Sequence, residues 1–200
     1  FFNNALFTDP AVFGKYPENL AEAFGANFTY DPADMEIIKC DPDFIGLNIY
    51  HGKYVVPDGK GGIRDVTPEM NTPYTDMRWT VSPESLYYGP KAFSERYRLP
   101  IFITENGVAV TEWLSEDGKL HDPSRIEYIR RYLSQLKRAA EESADIEGYF
   151  YWSLLDNFEW KEGFSKRFGL IYVDYNTLER TPKDSAAYYA NIIRENGKSL

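Results

Sequence analysis

Apolar positions along the chain follow two patterns that take turns. Three short runs are almost continuously apolar: Asp43 to Tyr50 (DFIGLNIY), Leu99 to Glu105 (LPIFITE) and Ile146 to Leu154 (IEGYFYWSL). Runs of this length, rich in β-branched and aromatic residues, are expected of parallel strands covered on both faces. After Asp122 the spacing changes: Ile126, Ile129, Leu133, Leu136 and Ala140 recur at helical intervals with Arg and Glu on the other side. That spacing predicts a helix packed on the sheet by a single stripe. Ser82-Pro83, Asp122-Pro123 and Thr181-Pro182 each read as a helix start, a capping side chain followed by Pro at the first helical position. Gly89-Pro90 predicts a break, giving a short turn from Pro83 and a second helix from Pro90 to Tyr97. The last helix should start after Thr181 and end near Gly197. Asp58-Gly-Lys-Gly-Gly62 predicts a surface turn between Tyr54-Val55-Val56 and Ile63, and not a phosphate loop, because no G-x-x-x-x-G-K-[ST] is present.

Strand alternating with helix argues for an α/β fold with a parallel sheet and right-handed crossovers. Repeats of about fifty residues would need about four hundred for eight units, within the range of an eightfold barrel with insertions. Three strands in 200 residues cannot close such a barrel. Residues 1–200 are therefore expected to form either a small open sheet or a single partial domain, the C-terminal part of a barrel. The chain begins Phe1-Phe2-Asn3-Asn4, without Met, basic segment or small-residue cleavage site, and reads as an internal cut or a processed end.

Composition narrows the function. Hydrophobic residues at 43% and charged residues at 26% exclude disorder and coiled-coil architecture. A net charge of -9 and a pI near 4.8 oppose a phosphate backbone, so no nucleic-acid partner is expected. Cys40 is the single cysteine, and His51 and His121 are the only histidines. No disulfide, metal site or cofactor is expected from that set. The longest apolar stretch, Ile146 to Leu155, is interrupted by Glu147 and Gly148, so no membrane span is expected. Asn27-Phe28-Thr29 is a weak glycosylation triplet; one cysteine and no leader favour a cytoplasmic origin, with secretion as the alternative.

Candidate chemistry gathers at the ends of the three strands. Ile101-Phe-Ile-Thr-Glu-Asn-Gly107 places the carboxylate of Glu105 at the C-terminal end of an apolar strand, with Asn106 and Gly107 favouring a tight exit turn. Taken alone, Glu105 reads equally as a solvated strand end. Asn48 and Tyr50 are two apart and share a face from which they can reach a neighbouring carboxylate, although Tyr50 alone reads as a core aromatic. The third strand runs into Trp152, Asp156, Glu159 and Trp160. An aromatic platform beside carboxylates suits a sugar, which presents apolar C–H faces between rings of hydroxyls. An aromatic core beneath a charged loop is the competing reading.

These residues resemble the family 1 glycoside hydrolases, the β-glucosidase family. The likeness rests on Asp43-Phe-Ile-Gly-Leu-Asn-Ile-Tyr50, Ile103-Thr-Glu-Asn-Gly107, Tyr151-Trp-Ser-Leu-Leu-Asp-Asn-Phe-Glu-Trp160, Gly163-Phe-Ser-Lys-Arg-Phe-Gly-Leu170, Phe168-Gly-Leu-Ile-Tyr-Val-Asp174 and Arg180-Thr-Pro-Lys183, and covers nearly the whole chain. It implies about the last three βα units of a (β/α)8 TIM barrel, and retaining hydrolysis of a β-glycosidic bond by two carboxylates. Glu105 matches the nucleophile. The resemblance implies that Tyr50 positions it, with Asn48 alongside, and that Trp152 is the floor under the sugar. It further implies that Glu159 and Trp160 bind the far sugar hydroxyls, that Phe168 lines the same subsite, and that Trp79 flanks the leaving group. Trp79 alone reads as a partly exposed packing residue.

Relatives that act on 6-phosphorylated sugars carry a small hydroxyl residue and a lysine where this chain has Glu159-Trp160, so the implied substrate is an unphosphorylated glucoside, galactoside or fucoside. The acid/base glutamate of the family lies in a Thr-x-Asn-Glu-Pro segment that this sequence lacks, as it lacks the first-strand Gln and a His-Trp segment. The implied partner is accordingly an N-terminal half of the same enzyme, and the chain alone is expected to be inactive and poorly behaved or oligomeric. Pairing Glu105 with Glu159 as a self-contained couple is the bottom-up alternative. A non-catalytic sugar-binding or interaction module and a parent enzyme acting on thioglycosides are the competing functions.

Overall fold

The computed structural model describes residues 2–18 and 29–200; Asn27 and Phe28 of the glycosylation triplet lie outside them. Two compact units divide the chain, Phe1–Ile45 and Gly46–Leu200. The first holds helices α1 (Phe2–Phe13) and α2 (Asp34–Ile38). Its described parts are joined by the Cys40 amide donating to the Ala11 carbonyl at 2.8 Å and by the Tyr16 and Tyr30 rings, 4.8 Å apart edge to face.

The second unit is built on a three-stranded sheet of order β1-β4-β5, with β1 Ile45–Asn48, β4 Ile101–Asn106 and β5 Ile146–Tyr151. β4 and β5 are parallel, and helix α4 (Pro123–Glu141) connects them. Burial alternates along β1, where Ile45 and Leu47 are buried while Gly46 and Asn48 are exposed. β1 is thus covered on one face in this chain, where cover on both was expected, while β4 and β5 do not alternate so strictly. Alternation of this kind marks a sheet with one open face. Phe150, 58% exposed on β5, belongs to the same departure.

Helix α3 (Ser85–Tyr97) corrects a second expectation, because it runs straight through Pro90. A proline disfavours the helical region at the residue before it through clashes with that residue's N–H and its Cβ. Gly89 has no Cβ, and one there would meet Ile49 Cδ1 at 2.9 Å. α4 packs against α3 and against α5 (Asp184–Arg194). Its buried face is Arg125, Tyr128, Ile129, Tyr132, Leu133, Leu136 and Ala139. Ile129, Leu133 and Leu136 are buried as the periodicity predicts, each worth about 1.5–3 kcal/mol. Ala140 is exposed and Arg125 is buried, against the expected pattern; Arg125 turns inward into a charged network described below.

Asp122 does not cap α4. Its Oδ1 accepts the Ser185 amide at 2.9 Å, in the first turn of α5, so it caps a neighbouring helix instead. Thr181-Pro182 is not a helix start either: both residues belong to β7 (Arg180–Pro182), which pairs antiparallel with β6 (Ile171–Val173). A proline at the end of an edge strand forfeits no ladder bond. α5 begins two residues later and ends at Arg194. The surface hairpin is as predicted, β2 (Val55–Pro57) against β3 (Ile63–Asp65), with Asp58 Oδ1 accepting the Lys60 and Gly62 amides at 2.7 and 2.9 Å.

Candidate active site

Glu105 stands near the C-terminal end of β4, where the ladder to β5 changes register. Ile103 to Asn106 on β4 faces Tyr149 to Tyr151 on β5, so β4 carries one extra residue there. A bulge re-aims side chains. Consecutive residues Thr104 and Glu105, which a regular strand would send to opposite faces, both reach the end of β1 and the residues just after it. Thr104 Oγ1 donates to Asn48 Oδ1 at 2.7 Å, and Tyr50 Oη donates to Glu105 Oε2 at 2.6 Å. The structure therefore brings Tyr50 to Glu105, whereas Asn48 is bonded to Thr104, the residue before Glu105.

Gly107 corrects the reading of this turn. Its φ is not positive, and a Cβ on it would lie 1.8 Å from the Trp152 carbonyl oxygen. Close backbone approach, not a left-handed turn, requires glycine here. Asn106 is likewise buried and structural: its Nδ2 donates to the Ile49 carbonyl at 2.7 Å and to Tyr128 Oη at 3.0 Å, and its Oδ1 accepts from Tyr149 Oη at 2.9 Å. The Trp152 amide donates to the Asn106 carbonyl at 2.9 Å, which ties the sugar-floor candidate to the Glu105 strand. The Trp152–Ser153 peptide bond is cis.

Tyr50 is held from behind as well as in front. The Tyr128 and Tyr132 hydroxyls each donate to its carbonyl at 3.1 Å, and their rings stack 3.8 Å apart. Burial, the hydrogen bond to Glu105 and the charges of Glu105 and Glu159 push the Tyr50 phenol far above its ordinary value. It therefore stays a proton donor to the carboxylate at any working pH.

Around this pair, the Trp79 ring lies 5.2 Å from Tyr50 and 6.3 Å from Phe168, and Phe168 meets Tyr50 edge to face at 6.1 Å. Phe168 is 1% exposed. His51, which the sequence reading did not single out, stacks on Trp79 at 5.4 Å. Burial pushes the Glu159 carboxyl above its ordinary range, opposed by a hydrogen bond from the Trp152 side chain and reinforced by the charges of Glu105 and Glu162. Glu159 and Trp152 thus join the site. Trp160 opens a single 3-10 turn (Trp160–Glu162) and is 82% exposed, outside the ring cluster.

Tyr128, Tyr132 and Asn106 are the supporting residues that sequence reasoning missed. Tyr128 and Tyr132 do carry a signal, since residues four apart on a helix share one face. What they touch depends on the fold. Among the described residues no cluster of His, Cys, Asp and Glu is placed to hold a metal, and no helix is long and apolar enough to cross a membrane.

The profile of glycosyl hydrolase family 1 matches residues 1–198. The chain is 46% identical over 201 residues to a 1,4-β-D-glucan glucohydrolase of Thermotoga neapolitana, covering 98% of this chain and 45% of that protein. It is 43% identical to β-glucosidase A of Thermotoga maritima, again over 98% of this chain and 45% of the relative. The solved structure of the Thermotoga maritima β-glucosidase with noeuromycin superposes with a TM-score of 0.86 at 42% identity, covering 96% of this chain and 44% of that one. The chain thus spans less than half the length of these relatives, and its fold is part of an α/β barrel.

Proposed function

Because the chain belongs to glycosyl hydrolase family 1, we propose that it supplies the nucleophile and most of the sugar subsite of a retaining β-glycosidase. The carrying observation is the 2.6 Å hydrogen bond from Tyr50 Oη to Glu105 Oε2 at a strand's C-terminal end, beside an aromatic cluster. In this reading Glu105 attacks the anomeric carbon as the bond to the leaving group breaks, giving a covalent glycosyl-enzyme. An acid from a complementary N-terminal portion protonates the departing oxygen, and the same group then activates the water that releases the sugar. Tyr50 fixes the carboxylate oxygen that does not attack. Trp152 is the platform under the ring, Glu159 holds hydroxyls far from the scissile bond, and Phe168 and Trp79 wall the pocket. Trp160 completes the subsite from its exposed turn.

Substrate class follows from charge. The Glu159 carboxylate, already pushed up by burial and by Glu105, would repel a 6-phosphate, which favours unphosphorylated β-glucosides, galactosides or fucosides. The engagement of Glu159 by Trp152 favours a substrate-holding role over that of acid partner to Glu105. The open outer edges of β1 and β5 in the three-stranded sheet suit the complementary barrel units as partner. The test joins residues 1–200 to the preceding part of the Thermotoga maritima β-glucosidase and assays an activated aryl β-glucoside. Turnover abolished by Glu105→Gln supports the reading; a folded hybrid without turnover, or turnover that survives the substitution, refutes it.

A further inference from the structure

Behind the site lies a buried ionic network of six side chains. Asp122, Glu112 and Asp156 supply three negative charges, and Arg125, Lys183 and Arg167 supply three positive ones. All except Arg167 are buried at the side chain. Such a network is costly to desolvate, and it holds only when its geometry and its hydrogen bonds are complete.

Its placement around Phe168 is specific. Arg125 Nη2 donates to the carbonyl of Arg167, the residue before Phe168, at 2.9 Å. Asp156 Oδ1 accepts the amide of Gly169, the residue after it, at 2.9 Å, and Lys183 Nζ at 3.0 Å. The Phe168 carbonyl itself accepts the Ser153 amide at 3.3 Å, next to Trp152. Backbone groups on both sides of Phe168 are therefore held by buried charges. The Phe168 ring rests edge-on against Tyr50, which donates to Glu105.

We infer that Arg125 and Asp156 are positioning residues for the nucleophile. They clamp the chain on either side of Phe168 so that its ring keeps the Tyr50 hydroxyl on Glu105; Lys183 and Glu112 keep the clamp electrically neutral. The inference rests on the proposed function. Displacement of catalytic geometry by about 1 Å can cost roughly a hundredfold in rate.

The test uses the same hybrid enzyme with Arg125→Lys, which keeps the charge toward Asp122 and Glu112 but loses the bond to the Arg167 carbonyl. Asp156→Asn, which removes a charge and almost no volume, carries the test if Arg125→Lys does not fold. Each is also placed in a Glu105→Gly background supplied with azide, which bonds to the anomeric carbon through nitrogen as the aryloxide leaves. The inference expects folded variants whose kcat falls roughly ten- to a hundredfold with KM little changed, and a loss of under about twofold when azide replaces the carboxylate. An equal loss in both backgrounds, or unchanged kcat in folded variants, overturns it. If the unsubstituted hybrid folds without turnover, the functional reading fails first and this inference falls with it.

Discussion

Gly107→Ala isolates the contact between the nucleophile strand and the sugar-floor residue. An alanine Cβ would sit 1.8 Å from the Trp152 carbonyl oxygen and 2.8 Å from its carbonyl carbon. Both are backbone atoms, and the Trp152 amide is bound to Asn106, so neither side can step away without breaking the link. Overpacking costs about 1–3 kcal/mol where side chains can adjust; with backbone on both sides about 3 kcal/mol is expected. For a chain of this size each kcal/mol moves the melting temperature by about 2–4 °C, which predicts a drop of about 6–12 °C. Far-UV circular dichroism on the chain itself reads it. Gly52→Ala is the control, because its Cβ would meet only Ser82 Oγ and Ser85 Cβ, both at 3.8 Å. That substitution should be neutral or stabilising by about 0.4–1 kcal/mol through the unfolded state. A Gly107→Ala melt within about 2 °C of the parent would refute the close-approach argument.

Other consequences are open to direct measurement. Tyr50→Phe removes one hydrogen bond to an ionised carboxylate, worth about 1.5–3 kcal/mol, so kcat/KM of the hybrid should fall roughly ten- to 150-fold; a change under twofold would contradict the positioning role. The Glu159 carboxyl is pushed up by burial first and by Glu105 among its neighbours, so Glu105→Gln should lower its titration midpoint in carbon-13 NMR, and an unmoved midpoint would count against their proximity. Asp184 and Asp117 raise the His121 imidazolium above its ordinary value of 6.5. A raised folded value means that this contribution to stability is complete below about pH 6.5 and is lost as pH rises through the folded value. Urea unfolding of the parent and His121→Gln should therefore differ at pH 6 and converge at alkaline pH; an equal gap at both would rule out the charged tether.

Local signals were legible wherever one segment sets its own conformation. The three strands, the amphipathic helix after Asp122 and the Asp58–Gly62 turn all follow from adjacent residues. So does the shared reach of Tyr50 and Asn48 toward the Glu105 strand, since strand geometry fixes which residues face a neighbour. What could not be read was set by distant contacts. Pro90 lies within a continuous helix, and Gly89 eases the clash by lacking a Cβ, which a break rule does not weigh. Asp122 caps α5, sixty-three positions from its own helix's start rule, because Ser185 is brought to it by folding. Arg125 sits on an apolar stripe because Asp122 and Glu112 pair with it there. Asn106 and Gly107 look like a turn pair, yet one is needed for its hydrogen bonds and the other for its lack of a side chain. The aromatic wall of Trp79, Phe168 and Tyr50 joins three separate segments, and only the family motifs pointed to it before the structure did.

The role of Glu105 as nucleophile is tested most directly by covalent trapping. The hybrid enzyme is treated with an activated 2-deoxy-2-fluoro-β-glucoside, whose electron-poor sugar slows release of the intermediate, then digested and sequenced by mass spectrometry. One glycosyl group is expected on the peptide containing Glu105, and none in Glu105→Gln. A label on Glu159, or undiminished turnover with Glu105 unlabelled, would contradict that role.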